Sequence, residues 1–146
     1  MYPPWHIEAD NRLSWLLGRL GNQFGDRAYY VHLRRDAHET AKSFVKRYDR
    51  GIMKSYRDMG VIMGLNEAAD PLSVALDYCD TVNSNIDAFL KGRSKVMRID
   101  LERAKEMFPA FCAWIGADID MEAALAELDV RYNASDSAPQ TVEPES

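Results

Sequence analysis

The sequence predicts a helix-rich α/β domain, and two observations support this prediction. Apolar residues recur at spacings of three and four along most of the chain, which is typical of helices that bury one face. Two short apolar runs, 28–33 and 95–99, interrupt this pattern, and a helical pattern follows each of them. Strands that alternate with helices favour a small parallel sheet covered by helices.

The chain is predicted to begin with an extended segment and a helix. Pro3-Pro4 opposes helix formation, so residues 1–9 are expected to be extended. Asp10 is a suitable N-cap, and leucines at helical spacing follow it as far as Phe24. Gly25-Asp26 is expected to end this helix.

A strand, a turn and a helix come next. The run 28–33 predicts a buried strand in which His32 is a satisfied core or interface histidine. Asp36 and Glu39 have the spacing of a capping box, which predicts a helix start. Apolar spacing extends that helix to about Tyr48.

Two further helices lead to the second strand. Gly51 opens a helical pattern that is predicted to run to about Met63. Asp70-Pro71 is an N-cap followed by a proline at the first helical position, and the helix after it is predicted to reach Gly92. The run 95–99 then predicts the second strand.

The last third of the chain is predicted to be helical up to a tail. Asp100 is expected to cap a helical turn, and Pro109 to start a fresh helix that stops at Gly116. A final short helix is expected from Asp120 to Leu128. The Ser-, Pro- and Glu-rich residues 133–146 predict a disordered acidic tail after a single domain, residues 1–132.

Composition restricts the cellular setting. We find no apolar run near the ~20 residues that a membrane span needs, and no signal peptide at the start of this sequence. Cys79 and Cys112 fit no metal or redox spacing, and no metal site is expected. A cytoplasmic protein with buried free thiols is the expectation.

Charge is distributed unevenly along the chain. The net charge is −5, yet residues 1–60 hold 11 basic and 7 acidic side chains, with the basic ones densest over 34–57. An acidic protein with one basic region is suited to a small anion such as phosphate rather than to nucleic acid. A solvated helical face with scattered charge would give the same pattern.

The end of the first strand is the place where chemistry is expected. Arg34 and Arg35 end the strand, and a helix that contains Ser43 follows immediately. Ligands of open α/β sheets bind beyond the carboxyl ends of strands, where arginine offers a bidentate fork for phosphate oxygens. Ser43 lies ~10 Å along the helix from its cap, so Arg35 would have to fold back to share one phosphate with it.

This segment resembles the 3′-phosphate-binding motif of the sulfotransferase family, which uses 3′-phosphoadenosine 5′-phosphosulfate (PAPS). In that family an Arg at the strand end and a Ser eight positions later hold the 3′-phosphate, and Arg35 and Ser43 have that separation. The resemblance extends over roughly residues 10–117 and includes Asp100-Leu101 and the segment 111–116. It implies a partial, P-loop-NTPase-like fold of three layers with few short parallel strands.

The resemblance is to the C-terminal portion of that family. None of the eight glycines lies in a strand-to-helix loop of the kind that holds the 5′-phosphosulfate. The resemblance therefore implies a sulfotransferase-like chain, with a loop supplied from outside this sequence. It implies sulfuryl transfer from PAPS to a hydroxyl or amine of a small-molecule or glycan acceptor, with His6 as the candidate base.

Two other interpretations stay open. A non-catalytic nucleotide-binding or assembly module could keep the fold, with a partner or a second copy covering the faces that the absent strand leaves exposed. A remnant of another P-loop transferase or kinase would need a Mg²⁺-coordinating Asp beside a phosphate loop, and the sequence has no such loop.

Overall fold

The computed structural model describes residues 6–58 and 68–130, of which 65% are helical. This confirms a helix-rich α/β chain. Short 3₁₀ turns precede α1, β1 and α5. Within the described ranges the helices and strands are, in chain order, α1 (Leu17–Phe24), β1 (Tyr30–Arg34), α2 (Ala37–Val45), α3 (Gly51–Asp58), α4 (Pro71–Leu90), β2 (Val96–Asp100), α5 (Ala104–Ile115) and α6 (Met121–Glu127).

The two strands form a parallel pair. Tyr30 lies opposite Val96 at one end, and Arg34 lies opposite Asp100 at the other. Helices α2, α3 and α4 form the connection between the strands, as a parallel pair requires. The carboxyl ends of both strands therefore meet at one edge, and the β1–α2 junction begins there.

The main cluster of buried apolar side chains lies among the helices, while Ile99 is the buried apolar residue of the sheet. Helices α2, α3 and α4 bury a common set of side chains, and α2 packs closely on α4. Tyr78 is at its centre, because the rings of Phe44 and Tyr56 both meet it edge-on with centroids 5.3 and 5.1 Å away. The buried members of this core are Ala41, Met53, Tyr56, Val74, Ala75, Tyr78 and Cys79.

A buried histidine connects β1 to α4. His32 is only 3% exposed, and its Nε2 lies 3.0 Å from Asn83 Oδ1. Its Nδ1 lies 3.5 Å from Asp87 Oδ1, which accepts a hydrogen bond from Arg98. The prediction that His32 is buried is confirmed, but its Nδ1 makes no hydrogen bond among the described residues. The prediction that the whole strand is buried is wrong, because Val31 and Leu33 are exposed.

The first predicted helix is divided in two. Asp10 is the N-cap, as expected, and accepts from the Arg12 backbone N–H at 2.8 Å. A 3₁₀ turn, Asn11–Trp15, follows it, and α1 starts only at Leu17. A backbone hydrogen bond from Leu16 N–H to Leu13 C=O closes the 3₁₀ turn. Because a 3₁₀ turn is wound more tightly than an α-helix, α1 does not continue its helical register.

The prediction of a helix start at Pro109 is wrong. Helix α5 runs without interruption from Ala104 to Ile115, with Pro109 inside it. Proline removes one backbone hydrogen bond and typically costs ~3 kcal/mol. We attribute its tolerance to side-chain packing across it, because Phe108 and Phe111 pack together and Cys112 is buried. Gly116 ends the helix at φ +70°, as predicted.

The other boundaries follow the predictions with small differences. Asp70 caps α4, and Pro71 is the first residue of that helix. Cys79 and Cys112 are buried free thiols, as predicted. Helix α2 ends at Val45 rather than near Tyr48. The predicted extension of α3 to Met63, the Pro3-Pro4 segment and the tail 133–146 lie outside the described residues.

Candidate anion-binding site

Arg34 is held by a carboxylate from the neighbouring strand. Its Nε and Nη2 both donate to Asp100 Oδ1, at 3.0 and 2.8 Å. The pair follows from the sheet register, which places these two residues opposite each other. Arg34 was a candidate phosphate ligand, but in the structure its charge is balanced by Asp100.

Arg35 has a different environment one residue later. It is exposed, and in the described part of the chain its side chain makes no hydrogen bond or ion pair. It stands between the end of β1 and the N-cap of α2, at the edge where ligands of parallel sheets bind. Of the two arginines, Arg35 is therefore the one with a guanidinium group that can receive an anion.

Carboxylates already surround the start of α2. The Asp36 carboxylate accepts from the Glu39 backbone N–H at 2.9 Å, and the Asp36 N–H donates to Glu102 Oε1 at 3.2 Å. The Lys42 ammonium lies 2.7 Å from Glu39 and keeps the pKa of that carboxyl below its ordinary value. The helix terminus is thus filled by protein carboxylates, which leaves the arginine side chain as the main attraction for a phosphate.

Ser43 lies further along α2 and is half-buried. Its hydroxyl accepts a hydrogen bond from Arg47 Nη2 at 3.3 Å. Arg47 is one turn further along the chain than Ser43, so the two side chains share a helix face. The structure therefore joins Ser43 to Arg47 and does not bring it into contact with Arg35.

His6 lies in the segment before the first 3₁₀ turn. Its Nε2 is 3.1 Å from Glu8 Oε2, and about a third of each side chain is exposed. A carboxylate in this position fixes the orientation of an imidazole ring. The predicted base thus has a carboxylate partner two residues further along the chain.

Two of these contacts differ in how far the sequence could have predicted them. Arg34 and Asp100 are 66 positions apart, and only the parallel register pairs them. Arg47 was noted as part of a basic stretch, but its link to Ser43 needs the helix face. The i, i+4 spacing of Ser43 and Arg47 is the signal that was present in the sequence.

No family model, curated protein or solved structure matches this chain. No helix in the ranges 6–58 and 68–130 is both long and apolar enough to cross a membrane. Over the same residues, no three His, Cys, Asp or Glu side chains are grouped closely enough to hold a metal ion.

Proposed function

We propose that the chain is a sulfotransferase-like, nucleotide-binding protein of the three-layer P-loop type, and that Arg35 binds the 3′-phosphate of PAPS. The observation that carries this proposal is the contrast at the end of β1, where Asp100 holds Arg34. The exposed Arg35 makes no hydrogen bond or ion pair among the described residues, and its charge acts on Glu39 only through space. A 3′-phosphate at Arg35 would gain a charge-assisted, bidentate hydrogen bond. Ser43, on α2, is the second proposed ligand of this phosphate.

The proposed reaction transfers a sulfuryl group to a hydroxyl or amine. PAPS supplies that group when bound. The acceptor oxygen or nitrogen forms a bond to sulfur, the bond from sulfur to the 5′-phosphate oxygen breaks, and the acceptor proton passes to His6. In the tautomer that donates Nε2–H to Glu8, Nδ1 is the basic nitrogen that takes this proton. A loop supplied from outside this sequence would hold the 5′-phosphosulfate.

Calorimetry with adenosine 3′,5′-bisphosphate tests the binding half of this proposal. The full chain is expected to bind the bisphosphate weakly, and Arg35→Ala is expected to abolish the heat of binding, since a charged hydrogen bond contributes about 1.5–3 kcal/mol. Arg103→Ala is the matched control, because Arg103 is an exposed arginine paired with Glu106 on α5. No binding, or binding that Arg35→Ala leaves unchanged, would refute the assignment.

A second candidate function is assembly with another copy of the chain, without catalysis. Val31 and Leu33 on β1 are 41% and 60% exposed, although they belong to a parallel sheet. Parallel sheets are covered on both faces in almost all known proteins. A second copy would cover these apolar side chains, and this exposed face is the observation that favours the candidate.

A further inference from the structure

A pocket with two arginines lies where α2 gives way to α3, at the opposite end of α2 from Arg35. Its volume is about 350 Å³, within the range of small-ligand sites. Arg47 and Arg50 line it together with Asn11, which the first 3₁₀ turn brings to this place. None of the residues that line it is acidic.

The nearest acidic residues in the sequence are paired elsewhere. Asp10 accepts from Arg12 Nε at 2.9 and 3.0 Å, and Asp49 accepts from Arg57 Nη1 at 3.0 Å. Over the described ranges, Arg50 makes no side-chain hydrogen bond or ion pair. The pocket therefore holds two guanidinium charges without a carboxylate to balance them.

Arg47 is oriented by neutral groups. Its Nη2 donates to the Ser43 hydroxyl at 3.3 Å, and its guanidinium carbon lies 5.8 Å from the centre of the Phe44 ring. Neither contact removes its charge. Both reduce the freedom of the side chain, so less rotamer entropy is lost when the guanidinium binds a ligand.

We infer that this pocket is a binding site for a small phosphate monoester. Two arginines offer paired N–H donors to the phosphate oxygens, and the Asn11 amide can add a further donor. Phe44 and Ile52 supply an apolar wall for the organic part of the ligand. Inorganic phosphate would use the arginines alone, so a monoester with an aromatic group is expected to bind more tightly.

The arginines of this pocket are distinct from Arg35, although Arg47 donates to Ser43, the second proposed ligand of the 3′-phosphate. Helix α2 has nine residues and is therefore about 13 Å long, with Arg35 before its start and Arg47 after its end. Substitutions of Arg35 and Arg50 consequently report on different sites. The inference holds whether or not the chain binds a PAPS-type nucleotide.

Titration of the ¹⁵N-labelled full chain with phenyl phosphate and with inorganic phosphate tests the inference. The amide signals of Gly51, Ile52 and Met53 are expected to shift, because these residues line the pocket. Arg50→Gln and Arg47→Gln are each expected to weaken phenyl phosphate binding about tenfold or more. Arg103→Gln is the matched control and is expected to leave the affinity unchanged, because Arg103 is exposed and paired with Glu106.

The same titration can overturn the inference. The absence of shifts at 51–53 would show that the pocket binds no anion. Shifts that survive in a folded double variant, Arg47→Gln with Arg50→Gln, would show that the two arginines do not hold the anion. Equal affinity for phenyl phosphate and inorganic phosphate would refute the role of the apolar wall. Loss of binding in Arg35→Gln alone would place the anion at the other end of α2.

Discussion

Neighbouring arginines at the end of β1 have unequal roles because the pairing of the two strands stops between them. Arg34 faces the strand position that Asp100 occupies on β2, while Arg35 lies beyond the pairing. Arg34 therefore helps to hold the two strands together. The charge that is available to a ligand belongs to Arg35.

A double-mutant cycle on Arg34 and Asp100 tests this division. Both side chains are partly exposed, at 44% and 37%, so solvent screens the pair and the coupling energy is expected to be about 0.5 kcal/mol, within the 0.2–1 kcal/mol range of exposed pairs. Chemical unfolding of Arg34→Gln, Asp100→Asn and the double variant gives this value. A coupling energy of zero would show that the Arg34–Asp100 pair does not stabilise the strand pairing. Loss of bisphosphate binding in Arg34→Gln would contradict the assignment of the ligand to Arg35.

At the scale of an element, α4 depends on its acidic cap. Asp70 Oδ2 accepts from the Ser73 backbone N–H at 3.0 Å and from the Ser73 hydroxyl at 2.9 Å. The Ser73 hydroxyl, followed by its backbone N–H, lowers the pKa of the Asp70 carboxyl below 3.8. A carboxyl with a lowered folded-state pKa stabilises the fold above its unfolded pKa and loses this contribution as the pH falls through the folded value.

Asp70→Asn isolates the charge of this cap, because asparagine keeps the capping geometry. At pH 6 the variant is expected to unfold at a lower temperature than the parent chain. The difference is expected to shrink below pH 3.8, as the parent carboxyl becomes protonated. Thermal unfolding followed by circular dichroism from pH 6 to about pH 2.5 measures it. A difference that does not depend on pH would contradict the role of the charge.

Local signals in the sequence predicted most of the elements. The predicted caps Asp10, Asp36 and Asp70 all accept the backbone bonds that their positions implied. Asp100 was also predicted as a cap, but its side chain accepts no bond from the turn that follows it. The predicted helix start at Pro109 is wrong because side-chain packing offsets the free-energy cost of a proline inside a helix. The spacing of apolar residues carries no information about that packing. Some boundaries also shifted: α2 ends three residues before Tyr48, and α1 starts only at Leu17.

The candidate site was less accessible from the sequence than the fold. Arg35 at the strand end followed from local pattern, but the pairing of Arg34 with Asp100 depends on a register between distant segments. The carboxylate of Glu102 at the start of α2 also comes from beyond β2. Contacts between remote segments determine which charges are neutralised, and one-dimensional patterns do not contain that information.

At the scale of the whole molecule, the sheet is covered unequally. Val31 and Leu33 share a face with their register partners Met97 and Ile99. Helix α5 packs against β2, and Ile99 is only 7% exposed, whereas Leu33 is 60% exposed. The half of this face that β1 contributes is thus left apolar and open.

A second copy that covers this face would make the chain a dimer at micromolar concentration. Leu33→Lys would then place two charges in a symmetric interface and remove two buried leucines, each worth roughly 1.5 kcal/mol. Dimer affinity is therefore expected to fall by on the order of a hundredfold. Sedimentation velocity measures the change, and Val130→Lys is the matched control, because Val130 is 49% exposed but lies after α6. A parent chain that sediments as a monomer throughout this range would show that the open face serves no self-association.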